Sequence, residues 1–157
     1  MNVALQPADQ GDLDLLVSLV GAFHAEEALP FDEGGLRDLL TQLIATPHLG
    51  RALLITAAGD VVGYLVITFG FSLEYHGRDA FVDELYLLPP FRGQGVGTAA
   101  LTLALEVAQQ AGVQALHLEV ERHNQTAQGL YRKLGFDDTN RLLLTRRLCA
   151  PSDSGAL

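Results

Sequence analysis

The chain has one cysteine, one methionine and no tryptophan. Its single thiol, Cys149, excludes an internal disulfide framework and fits a reducing compartment, so a cytoplasmic location is expected. Bases are scarce: ten Lys and Arg stand against nineteen Asp and Glu, for a net charge of −9. A protein that grips a phosphate backbone carries a basic patch, so nucleic acid is not expected as a general partner. No uninterrupted apolar run reaches membrane-spanning length, and no basic leader precedes an apolar stretch, so no membrane association is expected. His24, His76, His117 and His123 lack partners at metal-ligand spacing, and no metal is expected. Internal repeats and low-complexity tracts are absent.

What is present suits a globular domain: 157 residues, 48% apolar and 18% charged. Residues 1–148 read as one domain and 149–157 as a polar, disordered tail. Val3 to Gln6 reads as a strand stopped by Pro7. Asp9 or Asp12 caps a helix with Leu13, Leu16, Val17, Val20 and Phe23 on one face. Asp32 caps a second helix, with Leu36, Leu39, Leu40 and Leu43 inward. Ala52 to Ala57 and Val61 to Phe71 form a hairpin around Gly59-Asp60. Ser72 to Asp79 reads as a polar loop. Further on, Gln114 to Val120 is a strand, Gln125 to Leu134 a short helix closed by Gly135, and Leu142 to Leu148 a last strand. That strand, at a sheet edge, offers a surface for a homodimer.

The stretch from Ala80 to Ala111 organises the rest. Phe81, Val82, Leu85, Tyr86, Leu87 and Leu88 make a strand, stopped by Pro89 and Pro90. Arg92-Gly93-Gln94-Gly95-Val96-Gly97-Thr98 then opens a helix that runs to about Ala111 and is closed by Gly112. The first N–H groups of a helix are unpaired and its dipole is positive there, so such a loop attracts an anion. Glycines allow close backbone approach, and Arg92 adds a permanent charge suited to phosphate. A Walker loop would need Gly-Lys-Ser/Thr, and a dinucleotide fingerprint would need its third glycine one residue later than Gly97. Neither fits.

Arg92, Gly95 and Gly97 match the Arg/Gln-x-x-Gly-x-Gly/Ala signature of the GNAT superfamily of N-acetyltransferases. The resemblance extends through Asn124 and Leu130-Tyr131-Arg132-Lys133-Leu134-Gly135-Phe136. It implies an α/β fold: a mixed, mostly antiparallel sheet, helices on both faces, and a splayed central parallel strand pair. The preceding strand should splay at a bulge, and residues 92–98 should hold the pyrophosphate of acetyl-CoA. A backbone N–H from the strand Leu85-Tyr86-Leu87 should polarise the thioester carbonyl, with Leu87 the first candidate and Leu85 or Leu88 the others. Asn124 resembles the residue that binds the pantetheine arm, and Tyr131 the one that protonates the departing thiolate. The implied activity is acyl transfer from acetyl-CoA to a small-molecule primary amine. A non-catalytic acyl-CoA-binding module and acetylation of a protein or peptide amine are the alternatives.

Asp83 and Glu84 are carboxylates in an otherwise apolar strand, and either can accept the amine's proton. Strand alternation directs them to opposite faces, so only one should face the cleft. Charge adds an expectation about the acceptor. Residues 1–91 carry thirteen acids and three bases, whereas residues 92–157 carry six and seven. An acidic acceptor side, with Glu26, Glu27, Phe31, Glu74 and Tyr75 as substrate-binding candidates and Asp32 and Glu33 also at its rim, would favour a cationic amine.

Overall fold

A computed structural model describes residues 1–149. Five strands form one sheet in sequence order: β1 Val3–Pro7, β2 Gly50–Ala57, β3 Asp60–Ser72, β4 Gly77–Leu87 and β5 Ala115–His117. The first three pairings are antiparallel, and β4 with β5 is parallel. Between β1 and β2 lie α1 (Leu13–Glu26) and α2 (Glu33–Ala45); α3 (Val96–Gln110) joins β4 to β5, and α4 (Gln125–Lys133) follows. The mixed α/β class read from the sequence is the one observed.

Two apolar layers hold the sheet between its helices. On one side Leu16, Val17, Val20 and Leu40 pack on Leu54, Tyr64, Val66 and Tyr86. On the other, Val96, Ala100, Leu101 and Ala104 of α3 pack on Leu53, Ile55, Leu65 and Ile67, with Tyr131 of α4 at the margin. Both Ala100 and Ala104 are fully buried; their small side chains let α3 lie close to the strands. Leu101 between them is also fully buried, which contributes about 2 kcal/mol.

Four expectations are corrected. Leu39 is 64% exposed, because α2 turns its Leu36, Leu40, Leu43 and Ile44 stripe toward the core. Much of the expected 72–79 loop is strand, since β3 and β4 pair out to Ser72 and Gly77. The strand expected over residues 114–120 shrinks to Ala115–His117. No strand forms over Leu142–Leu148, where Leu142, Leu143, Leu144 and Leu148 are 63–89% exposed. Three successive leucines cannot share one face of a strand, and β5 offers only a three-residue edge to pair with. The expected tail from residue 150 onward lies outside the described residues.

The feature that shapes β4 is a register shift against β3. Val66 stands opposite Glu84, but Ile67 stands opposite Val82, leaving Asp83 as an extra residue. Such a bulge bends its strand and breaks the two-residue alternation. Ala80 and Val82 therefore pack in the same layer as Leu85 and Leu87, on the α3 side.

Candidate active site

Strand β4 outruns its parallel neighbour. Pairing with β5 ends at Phe81 opposite His117, whereas β4 continues to Leu87. Beyond Phe81 the two chains part, and β4 has one edge without a strand beside it. Which amides face that gap follows from ladder alternation. The Leu88 N–H donates to the Val62 carbonyl at 2.8 Å, so Leu88 and, two residues back, Tyr86 point toward β3. Leu87 points away, as its carbonyl shows by accepting from Arg92 Nε at 2.9 Å. The N–H groups of Leu87 and Leu85 therefore face the gap. Leu88, a candidate donor from the sequence, is already paired. The Tyr86 side chain is buried in the α1-side core.

At the head of α3 the glycines do conformational work. Gly93 and Gly95 have φ of +71° and +81°, where an L side chain is strained, and a Cβ on either would meet nothing within 4 Å. Gly95 caps the helix with no side-chain hydrogen bond, so the first-turn N–H groups stay available. Open space beside uncapped first-turn amides is compatible with a diphosphate. Val96 is buried as an anchor, and Gln94 Nε2 donates to the Pro90 carbonyl at 2.7 Å. Thr98 lies in the first turn of α3. Arg92 does not stand free: its Nη2 donates to both Glu26 carboxylate oxygens at 3.0 and 2.9 Å, and its guanidinium lies 5.3 Å from the Tyr86 ring centroid. Its charge ties the loop to the end of α1 and is largely balanced there.

The bulge puts both carboxylates on the α1 side of β4, against the expected alternation, and Asp83 is the one of the two that lines a cleft. Glu84 lies on the α1 side, with Oε2 2.7 Å from His24 Nε2 and Oε1 accepting from the buried Tyr64 hydroxyl at 2.9 Å. Asp83, on the same side, lines a cleft of about 430 Å³ with Thr68, Phe81, Val82, Glu119 and Leu143. Its carboxyl is pushed above the ordinary range, first by desolvation and then by Glu84 and Glu119, while His24 pulls it back. Burial foremost, and then Glu84, holds the Tyr64 phenol protonated far above its usual value.

Tyr131 is half-buried, edge-on to Phe136 at 6.1 Å, and desolvation raises its pKa. Asn124 caps α4, its Oδ1 accepting from the Ala127 N–H at 3.1 Å.

A family model for the acetyltransferase (GNAT) family matches residues 19–136. The chain belongs to that family. It is 32% identical over 128 residues to the N-acetyltransferase YycN of Bacillus subtilis, covering 82% of this chain and 80% of that protein. It is 29% identical to the thialysine N-epsilon-acetyltransferase of Mus musculus, over 83% and 80% of the two chains. Among solved structures, an integron cassette protein from a salt-marsh metagenome superposes with a TM-score of 0.83 at 35% identity, covering 94% of this chain and 91% of that one. The protein is therefore a GNAT N-acetyltransferase. No helix among the described residues is long and apolar enough to cross a membrane, and no metal-holding cluster occurs among them.

Within this GNAT fold the five acceptor-side candidates do not converge on the Asp83 cleft. Glu26 is engaged with Arg92 and Glu74 with Arg141 at 2.7 Å. Tyr75 meets the His117 ring edge-on at 5.1 Å, and His117 Nε2 lies 3.0 Å from Asp79. Phe31 lines a separate groove with Asp14, Val17, Ser18, Gly21 and Glu33. Glu27 is exposed just after α1. Conversely, His24, Tyr64 and Glu119 were not singled out for this site. The signal for His24 was its spacing, four residues after Val20 on the core-facing stripe. Tyr64 was hidden in an apolar run, and Glu119 shares the strand parity of His117.

Proposed function

We propose that the enzyme transfers acetyl from acetyl-CoA directly to a primary amine of a small cationic acceptor. The observation that carries this is the bulge at Asp83, beside a splay edged by the Leu85 and Leu87 amides. The amine arrives as an ammonium and gives a proton to Asp83. Its freed lone pair attacks the thioester carbonyl carbon, and the Leu87 N–H stabilises the developing oxyanion, with Leu85 as the alternative donor. As the C–S bond breaks, the nitrogen gives its second proton to solvent and Tyr131 gives its proton to the thiolate; Tyr131 regains a proton from solvent, and Asp83 releases its own to solvent. The balance is ammonium plus thioester giving amide, thiol and one proton. The glycine loop from Gly93 to Gly97 and the first turn of α3 would hold the diphosphate, with Arg92 fixing the loop and Asn124 beside the pantetheine arm.

Asp83 is the better base of the pair, because it lines the cleft and accepts no hydrogen bond among the described side chains, whereas both oxygens of Glu84 are taken; its carboxyl is also raised above the ordinary range. Cationic selectivity is supported by Asp83 and Glu119 lining the cleft, with Glu84 close behind. It no longer rests on Glu26 and Glu74, which arginines neutralise. The mouse relative's name, a thialysine acetyltransferase, suits such an acceptor. A second copy is the proposed cover for the exposed Leu142–Leu148 segment. An acceptor screen with acetyl-CoA, read by thiol release, tests the function. Polyamines and lysine analogues should lead, with an apparent KM that rises with ionic strength. An anionic or neutral best acceptor, or a protein terminus, would refute the acceptor class.

A further inference from the structure

Two carboxylates side by side at a bulge usually raise the question of which one titrates. Here their surroundings differ sharply. Both oxygens of Glu84 are occupied, Oε2 by His24 from α1 at 2.7 Å and Oε1 by Tyr64 from β3 at 2.9 Å. The His24 and Glu84 side chains are only 18% and 19% exposed, and Tyr64 is fully buried, so this triangle is fixed from two directions. Phe23 locks it further, packing on the His24, Tyr64 and Tyr86 rings. Asp83 makes no such bond and opens onto the cleft.

We propose that His24 and Tyr64 are positioning residues that pin Glu84 as a fixed charged neighbour, leaving Asp83 free to exchange a proton with the acceptor amine. The inference rests on Asp83 being the base. A carboxylate held within reach of another makes ionisation of the second harder. A Glu84 free to swing away would supply a weaker and variable field. The groups that face Asp83 are Glu84 on its own strand, Glu119 from the chain after β5, His24 from α1 and Tyr64 from β3. Of these, Glu84 and Glu119 oppose its ionisation and a protonated His24 favours it. The triangle therefore contains opposing levers on one group.

The test is a carbon-13 NMR titration of the Asp83 carboxyl in the full chain, which needs no acceptor. Glu84→Gln keeps the hydrogen-bonding shape but removes the charge, and should lower the apparent pKa of Asp83. Tyr64→Phe removes one of the two bonds that pin Glu84 without changing any charge, so a Glu84 released from β3 should lower it as well. Coenzyme A affinity by calorimetry, unchanged in both, shows that the cofactor side is intact. Downward movement in both variants, smaller for Tyr64→Phe, supports the proposal. An Asp83 titration left in place or raised by Tyr64→Phe, with coenzyme A binding retained, overturns it. Tyr64→Phe carries a second readout, on Glu84 itself. It keeps the buried ring and frees Glu84 Oε1, so the carboxylate should broaden into several environments; a single sharp Glu84 signal would overturn the positioning role. Failure of the base assignment shows separately, as Asp83→Asn turnover equal to wild type.

Discussion

Gly95 allows the cofactor loop to be tested without disturbing the core. Its φ of +81° lies in the left-handed region, and a Cβ placed on it meets nothing within 4 Å. Gly95→Ala therefore introduces strain but no clash. That strain costs about 1–2 kcal/mol, and in a domain of this size should lower Tm by about 2–8 °C. Gly97→Ala is the matched control. Its φ is not left-handed, and its Cβ would sit 3.6 Å from Leu87 Cδ1, an ordinary contact. In a helix the change from glycine gains up to about 1 kcal/mol, so Gly97→Ala should hold or slightly raise Tm. On the proposed cofactor role, a methyl at either position would crowd a diphosphate drawn to the first-turn amides. Losing one hydrogen bond to a charged group costs about 1.5–3 kcal/mol, so coenzyme A affinity should fall about 10- to 100-fold. Thermal denaturation followed by calorimetry with coenzyme A separates the two effects. Gly97→Ala with wild-type Tm and weakened binding identifies the cradle. Wild-type affinity in both variants would refute the loop's assignment.

Tyr131→Phe keeps the ring against Phe136 and removes the proton, so kcat should fall about 100-fold while coenzyme A affinity holds; unchanged kcat in a chemistry-limited assay would return Tyr131 to the core. Glu26→Gln releases Arg92 from an exposed pair worth about 0.5–1 kcal/mol, so coenzyme A affinity should weaken a few-fold and acceptor KM should not; the reverse outcome, read by initial rates, would make Glu26 an acceptor residue. The base works only when ionised, so kcat/KM should fall as pH drops through the raised Asp83 pKa. Glu119 is one cause of that rise, and Glu119→Gln should move the acidic limb to lower pH; a stationary limb in the pH–rate profile would detach Glu119 from the base.

Sequence pattern made much of this legible because periodicity and punctuation are local. The α3 stripe, the Pro89-Pro90 stop and the glycine turn each announce themselves within a few residues. Pairing geometry is not local, and the errors gather there. Alternation applied to Asp83 and Glu84 gave opposite faces, since nothing in residues 81–86 signals that β3 opposes them with one residue fewer. The acidic surplus before Phe91 was real, but a count cannot tell that Arg92 reaches back to Glu26 or Arg141 to Glu74. The last strand failed for a related reason: its apolar composition was right, but the edge awaiting it was three residues long.

The bulge carries one more consequence. On either side of Asp83 the strand is in step with the rest of the molecule: Glu84 keeps its place opposite Val66, Val82 keeps its place opposite Ile67, and Val82 and Leu85 share one apolar layer. Deleting Asp83 would leave every one of those partnerships regular and would iron the strand flat. The residue assigned the proton is thus the one that the architecture can spare. A lineage descended from this chain could lose it in a single codon, keep both hydrophobic layers and the glycine turn, and survive as a thioester receptor that no longer reacts.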